Sequence, residues 1–328
     1  MNSQRKVVIV GAGAVGATFA YALAQSGLAE EIVLVDRNEG LALGQALDLA
    51  HGYPFFPPVV IRAGTSADYA DAQVIVIAAG AKQNPGESRL NLLQRNALIV
   101  RSIMHELVAQ AAQGIVIMVS NPVDVLTRVA LDVTGWPARR IIGSGTVLDS
   151  ARFRYLLSQH CGVDVRNVHA YIIGEHGDSE VAAWSMTHIA GVPIDTYCNA
   201  CRKCARWAEE REAIVRAVRE SAYHIIGYKG ATHFGVGMAL VRIVEAILRN
   251  ERSVLTVSTR LHGEYGLRDV CLSVPVIVAR EGVERVIEGP LRDEELAGLR
   301  ASAELLEKAY AELALPGEDV KAHSTPRG

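Results

Sequence analysis

Residues Lys6-Val-Val-Ile-Val10-Gly11-Ala-Gly13-Ala-Val-Gly16 decide the fold of this chain. Lys6–Val10 is rich in Val and Ile and continuously apolar after Lys6, as a strand buried on both faces should be. The glycines follow at once as G-x-G-x-x-G, and residues 14–25 then read as a helix. Gly11 allows the tight turn, Gly13 lets a pyrophosphate approach the backbone, and Gly16 permits helix and strand to pack closely. The N–H groups of the first helical turn, from Ala14, Val15 and Gly16, stand at the positive end of the helix dipole and suit phosphates. Asp36 ends the next apolar run, residues 32–35, about twenty residues after Gly16. A carboxylate there meets the adenosine ribose hydroxyls and repels a 2′-phosphate, which predicts NAD rather than NADP as cofactor. Arg37 is the one adjacent group that could greet a phosphate instead.

Outward from this unit the pattern repeats. Residues 59–61, 74–78 and 115–119 are further Val- and Ile-rich runs, with a helical stretch over 92–113. Strands alternating with helices predict an α/β fold, a Rossmann-type doubly wound parallel sheet. The pattern changes after Gly143-Ser144-Gly145. Helices are expected over 149–160, 205–226, 238–249 and 293–313. A strand is expected over 168–173, with antiparallel strands over 254–257 and 270–279 around Gly263. The predicted division is an NAD-binding domain over 1–143 and an α+β substrate domain over 144–328, with a polar, disordered tail from about Pro316. Neither a repeat nor a Gly/Ser linker separates the halves, so they are expected to pack closely.

Composition narrows the function. A chain of 328 residues suits two coupled domains. A net charge of -3 without a basic cluster argues against nucleic acid as a partner. Apolar runs fall well short of the ~20 residues that span a bilayer, and the run at residues 6–10 is too short for a secretion signal. The expectation is a cytoplasmic protein without membrane contact. Five cysteines, an odd number, fit a reducing compartment better than a disulfide framework. Cys198, Cys201 and Cys204 form C-x-x-C-x-x-C without a fourth ligand nearby, since Cys161 and Cys271 are distant. They read as small residues opening a helix that runs on through Trp207 and Ile214, and no metal is expected.

Acid–base chemistry is suggested by Gly174-Glu-His176-Gly-Asp178, a histidine between glycines just after a strand. Histidine donates and accepts protons near neutral pH. Thr146-Val-Leu-Asp149-Ser-Ala-Arg152-Phe-Arg154 opens a helix with a carboxylate and an arginine three residues apart, hence on one face. An N-capping Asp beside a surface Arg would look the same in isolation.

These segments, with residues 80–92 (GAKQNPGESRLNL) and Ser120-Asn-Pro-Val-Asp124, occur in an order that resembles the lactate/malate dehydrogenase family from Lys6 to about Leu315. The resemblance implies that His176 exchanges the substrate hydroxyl proton while hydride passes between C2 and the nicotinamide. It implies that Asp149 orients His176 and favours its charged form. Arg152 would hold the substrate carboxylate with its planar fork. Arg89, in a loop bearing Gly80, Pro85 and Gly86, would close over the substrate and polarise its carbonyl. Asn121 would hydrogen-bond near nicotinamide and substrate, with a cis bond to Pro122. Thr232 would line the pocket, and Val236 would lie against the nicotinamide.

Substrate choice turns on Gln83. Malate enzymes of the family commonly carry an arginine there for a second carboxylate, which a neutral Gln83 cannot balance. The implied activity is therefore reversible hydride transfer between (S)-lactate and NAD, giving pyruvate and NADH. Malate or another L-2-hydroxy acid is the alternative, and a non-catalytic NAD-binding sensor or structural protein is the alternative of another class. The apolar segments 41–50 and 214–226, with the resemblance, predict a homotetramer. Arg154 and His169 occupy the positions implied for a fructose 1,6-bisphosphate effector.

Overall fold

The computed structural model describes residues 5–82, 86–201 and 206–315. Gln83, Cys204 and the tail from Pro316 lie outside the described residues. The first half is built as β1 (Lys6–Val10), α1 (Ala14–Ser26), β2 (Glu31–Val35), α2 (Glu39–His51), β3 (Val60–Ala63), β4 (Val74–Ile77), α3 (Arg89–Ala109), β5 (Ile115–Met118), α4 (Val123–Thr134) and β6 (Ile141–Gly143). All the residues of β1, β4 and β5 are buried, which is why these strands carry no alternation of polar and apolar residues. The six strands pair in parallel in the order β6-β5-β4-β1-β2-β3. The chain winds outward from β1 to β3, then returns and winds the other way from β4 to β6. The order reverses between β1 and β4, and the crevice beyond their carboxyl ends is where such sheets bind ligands.

The second half continues with α5 (Val147–Cys161), β7 (Val168–His169), β8 (Ile172–Ile173), β9 (Val181–Ala182), β10 (His188–Ile189), β11 (Val192–Pro193), α6 (Ile194–Cys201), α7 (Trp207–Lys229) and α8 (Phe234–Leu248). It closes with β12 (Ser253–Leu255), β13 (Ser258–His262), β14 (Arg268–Ser273), β15 (Val276–Ala279), β16 (Gly282–Val286) and α9 (Asp293–Ala311). Its strands do not form a sheet of their own alone. β13 pairs antiparallel with β6, and β14 with β13, so the large sheet has eight strands and crosses from one half of the chain to the other. One hydrophobic core runs through both halves, from Val7 to Leu306, and a smaller one around Phe153, Trp184 and Ile194 holds α5, α6 and α7 together.

Three expectations about elements are corrected. The single strand expected over 168–173 is two: β7 pairs with β10, and β8 with β9, in different sheets. The run expected over 270–279 breaks between Ser273 and Val276, where Pro275 has no N–H to continue a ladder. Cys198 and Cys201 do not open the long helix. Cys198 is buried in α6, which ends at Cys201, and Trp207 begins α7. The two helices are tied by Trp207 Nε1, which donates to Asp195 Oδ1 at 2.8 Å.

Candidate active site

The turn after β1 is shaped by the lack of side chains. Gly11 has φ +106°, and a Cβ on it would lie 2.6 Å from Ala79 N. On Gly16 a Cβ would stand 1.9 Å from Gly11 O, so α1 packs on the turn only because Gly16 has none. Gly13 faces open space on its Cβ side and caps α1 without a side-chain hydrogen bond, leaving the N–H groups of Ala14 and Val15 available. At the end of β2, Asp36 accepts the Ala12 N–H at 2.8 Å and the Asn38 N–H at 2.9 Å, which fixes its carboxylate beside the turn. This bare cradle, with a positive helix end and an oriented carboxylate, fits a dinucleotide. The α8 helix lies along α1, with Gly237 facing Thr18, and so brings the half-buried Val236 to this side of the sheet. Thr232 is half-buried in the connection before α8.

Across the switch point stands the acid–base cluster. Asp149, in the first turn of α5 and 3% exposed, divides its oxygens between two partners. His176 Nδ1 lies 2.5 Å from Oδ2, and Arg152 Nη1 donates to Oδ1 at 2.6 Å. The helix is aimed by its own hydroxyls: Thr146 Oγ1 donates to Ile172 O at 2.5 Å, and Ser150 Oγ accepts the Ile172 N–H at 2.9 Å. The histidine loop is held by its main chain. Gly174 exchanges two hydrogen bonds with Ser273, Glu175 N donates to Ser302 Oγ, and His176 N donates to Asp124 Oδ2 at 2.8 Å.

Charge follows from these contacts. Burial works against a charged His176, but the charge and hydrogen bond of Asp149, helped by Asp124 and Glu180, outweigh it and carry its pKa up to about 9. Burial also opposes ionisation of Asp149, yet His176 and Arg152 hold its carboxyl below the usual value. Asp124, 1% exposed, is pushed up to about 6 by burial, against the hydrogen bond and charge of His176.

A cavity of about 420 Å³ opens on this cluster, lined by His176, Asn121, Arg89, Asp178, Tyr223 and Val125 among others. Arg89 is the first residue of α3 rather than part of the loop before it, because Ser88 caps the helix by accepting the Asn91 N–H. Its side chain is 84% exposed and lies 3.5 Å from Asp178 Oδ2, and Tyr223 donates to the other oxygen of that carboxylate at 2.8 Å. Asn121 is exposed at the rim, and its bond to Pro122 is cis. Away from the cavity, Arg154 Nε donates to Val168 O at 2.9 Å, which puts its guanidinium beside the exposed His169 and on carbonyl oxygen rather than on an acid.

Sequence reasoning missed three residues here. Asp124 ends the Ser120–Asp124 motif, but nothing local said that it would reach the His176 main chain. Buried Asn96 links both loops of the switch point, with Oδ1 accepting the Ala81 N–H and Nδ2 donating to Asn121 O, each at 2.8 Å. A polar residue on the apolar face of α3 was the available signal. The third, Glu180, lies in the turn after His176.

The sequence matches two family models, "lactate/malate dehydrogenase, NAD binding domain" over residues 5–143 and "lactate/malate dehydrogenase, alpha/beta C-terminal domain" over residues 146–314. It is 58% identical to an L-lactate dehydrogenase of Treponema denticola, covering 95% of this chain and 99% of that protein. With an L-lactate dehydrogenase of Thermoanaerobacter pseudethanolicus it shares 52% identity over 94% of this chain and 99% of the relative. Among solved structures, the minor L-lactate dehydrogenase of Enterococcus mundtii in its ligands-bound form superposes with a TM-score of 0.93 at 42% identity, covering 96% of this chain and 100% of that one. No helix among the described residues is long and apolar enough to cross a membrane.

Proposed function

The chain belongs to the lactate/malate dehydrogenase family, and from that premise we propose that it interconverts (S)-lactate and pyruvate with NAD, using His176, Asp149, Arg152 and Arg89. The observation that carries the residue roles is the division of Asp149 between His176 at 2.5 Å and Arg152 at 2.6 Å. Bound NAD supplies the hydride acceptor, and NADH the donor. With Nδ1 on Asp149, His176 keeps Nε2 for the substrate hydroxyl, taking its proton in oxidation and returning it in reduction. The raised pKa keeps the imidazolium ready to donate, which suits pyruvate reduction at neutral pH. Arg152 spends one donor on Asp149, and the rest of its fork serves the substrate carboxylate. Arg89 and Asn121 stand at the cavity rim, where they reach the carbonyl oxygen, while Thr232 and Val236 close the nicotinamide side. Gly11, Gly13, Ala14, Val15, Gly16 and Asp36 hold the cofactor. Residues 1–143 thus form the cofactor half and 144–328 the substrate half. Gln83, being neutral, favours a monocarboxylate tail over malate.

The decisive assay is loss of NADH absorbance on mixing with pyruvate, repeated with oxaloacetate. Pyruvate should be reduced with much the higher kcat/KM. Equal or greater use of oxaloacetate would convert the reading to malate, and binding of NADH without turnover of either would make the chain a non-catalytic NAD-binding protein.

The surface supports a reading of assembly and control. Leu41, Leu43 and Leu47 on α2, and Tyr223, Ile226 and Tyr228 on α7, are all at least 39% exposed. Two apolar helix faces suit isologous contacts in a homotetramer, which light scattering at micromolar concentration would reveal. Arg154 and His169 suit a phosphate of fructose 1,6-bisphosphate across such a contact. The effector should lower the half-saturating pyruvate concentration in the wild type and not in Arg154→Gln; identical curves would remove it. A cytoplasmic location accompanies this reading.

A further inference from the structure

The loop that presents His176 carries another acid that the proposed reaction does not use. Glu180 N donates to Gly177 O at 3.2 Å, which turns the chain back directly after the histidine. Arg219 on α7 donates to the Glu180 carbonyl oxygen at 2.7 Å, so the main chain is pinned and the side chain faces inward. Glu180 is 3% exposed, and its Oε1 is sealed from solvent with no hydrogen-bond partner among the described residues. Structural packing alone does not account for a carboxyl at such a place. An apolar side chain would fill the volume without desolvating an acid, and a buried carboxyl is tolerated when its charge has a use.

The groups acting on Glu180 are the pair at the centre of the site and their neighbours. The charges of Asp149 and Arg152 on α5, of His176 on the same loop and of Arg219 on α7 act on it. His176 in turn is faced by Asp149, by Asp124 from α4 and by Glu180. From α9 the uncharged Ser302 accepts the Glu175 N–H of this loop.

We propose that Glu180 is a positioning residue for proton transfer, whose ionised carboxylate works with Asp149 to hold the His176 imidazolium in its charged form. The proposal rests on His176 being the proton-transfer group. Burial, and then the charge of Asp149, push the Glu180 carboxyl up to about 8, while His176, Arg219 and Arg152 oppose the rise. Its negative charge therefore develops as the solution turns alkaline, in the range where His176 would otherwise begin to lose its proton. Pyruvate reduction consumes the imidazolium, so a charge arriving at that point sustains the reaction at higher pH. Lactate oxidation needs neutral imidazole, and the same charge delays it.

The test is Glu180→Gln, which keeps the shape and removes the charge. The alkaline limb of kcat/KM for pyruvate and the acidic limb for lactate should both move down by about one pH unit, the scale of one nearby charge on a histidine. Above both limbs the rate of pyruvate reduction should fall about tenfold, while rates well below them stay close to the wild type. Glu180→Asp, which keeps the charge, should reverse most of that displacement. A second measurement needs no turnover: the pH dependence of His176 acylation by diethyl pyrocarbonate, read on its peptide by mass spectrometry. Neutral imidazole reacts, so Glu180→Gln should become reactive at lower pH. Unmoved limbs and an unmoved acylation profile would overturn the proposal, as would a loss of rate uniform across pH. If the wild type fails to reduce pyruvate, the dehydrogenase reading falls on that result alone, and the acylation profile still decides the role of Glu180.

Discussion

In the turn after β1, a Cβ on Gly16 would stand 1.9 Å from Gly11 O. In the loop after β8, His176 lies 2.5 Å from a carboxylate that also holds Arg152 at 2.6 Å. The two regions flank one crevice but are made of different material. The proposed cofactor turn is main chain with side chains removed, and it offers N–H groups, a helix end and one oriented acid. The histidine centre is a set of buried charges in which one carboxylate serves two cations, held in place by the hydroxyls of Thr146 and Ser150 and by the His176 main chain. A backbone cradle fails when atoms are added to it, and a charge cluster fails when charge is taken away. Each half of that comparison can be broken separately.

The largest effect belongs to the charge cluster. His176→Asn should lower kcat by roughly 10²–10⁴-fold, the usual yield of a general acid–base group, and leave the NADH dissociation constant within about twofold. Steady-state rates with fluorescence titration of NADH would check both. Near-normal turnover would remove His176 from the mechanism, and lost NADH binding would mean the two regions are not separable.

Gly16→Ala comes next and inverts the pattern. A methyl group at this contact overpacks the turn by about 1–3 kcal/mol, and NADH should bind roughly 5- to 150-fold more weakly, with the pH limbs of turnover unmoved. Unaltered NADH affinity would show that the turn can relax around a side chain.

A third test asks whether buried charge matters only at the site. Beneath β1, Lys6 Nζ meets Asp68 at 3.0 Å and Asp71 at 2.6 Å, and Arg62 also grips Asp68. The hydrogen bond from Arg62, with those from Thr65 N and Lys6, holds the Asp68 carboxyl well below its usual value. A depressed carboxylate stabilises the fold above its unfolded pKa, about 3.9, and that contribution is lost as pH falls through the folded value. Asp68→Asn should cost about 1–3 kcal/mol near neutral pH, and the gap to wild type should shrink below about pH 4. Urea unfolding at several pH values measures it, and kcat should be unchanged.

The smallest effect concerns Asp36. In Asp36→Asn only one of the Ala12 and Asn38 N–H groups keeps a side-chain acceptor, and the charge facing a 2′-phosphate is gone. The preference for NADH over NADPH should fall by about 1 kcal/mol, or roughly fivefold in relative kcat/KM. An unaltered preference would move the discrimination to another residue.

Legibility in the sequence follows the same division. The cofactor half was readable because its signals are local: an apolar strand, glycines at fixed offsets, and an acid one strand later. His176, Asp149 and Arg152 were readable as types at a spacing, and the structure brings all three together. Their bystanders were not. Asp124 reaches His176 across 52 positions, and nothing near Asn96 announces that it ties Ala81 to Asn121. The run over 168–173 looked like one strand because periodicity reports burial and not the partner, and β7 and β8 have different partners.

By itself, then, the sequence determined the doubly wound α/β plan, the cofactor turn and the chemical types at the centre, because each depends on residues close enough along the chain to act through one turn of backbone. Tertiary structure decided which strands of the second half complete the first sheet, and which acids surround the histidine. It also left Glu180 buried within the field of Asp149, with one oxygen unpartnered among the described residues. These depend on desolvation and on contacts between distant segments, and a carboxyl carries no sign in its sequence neighbourhood of how much water folding will take from it.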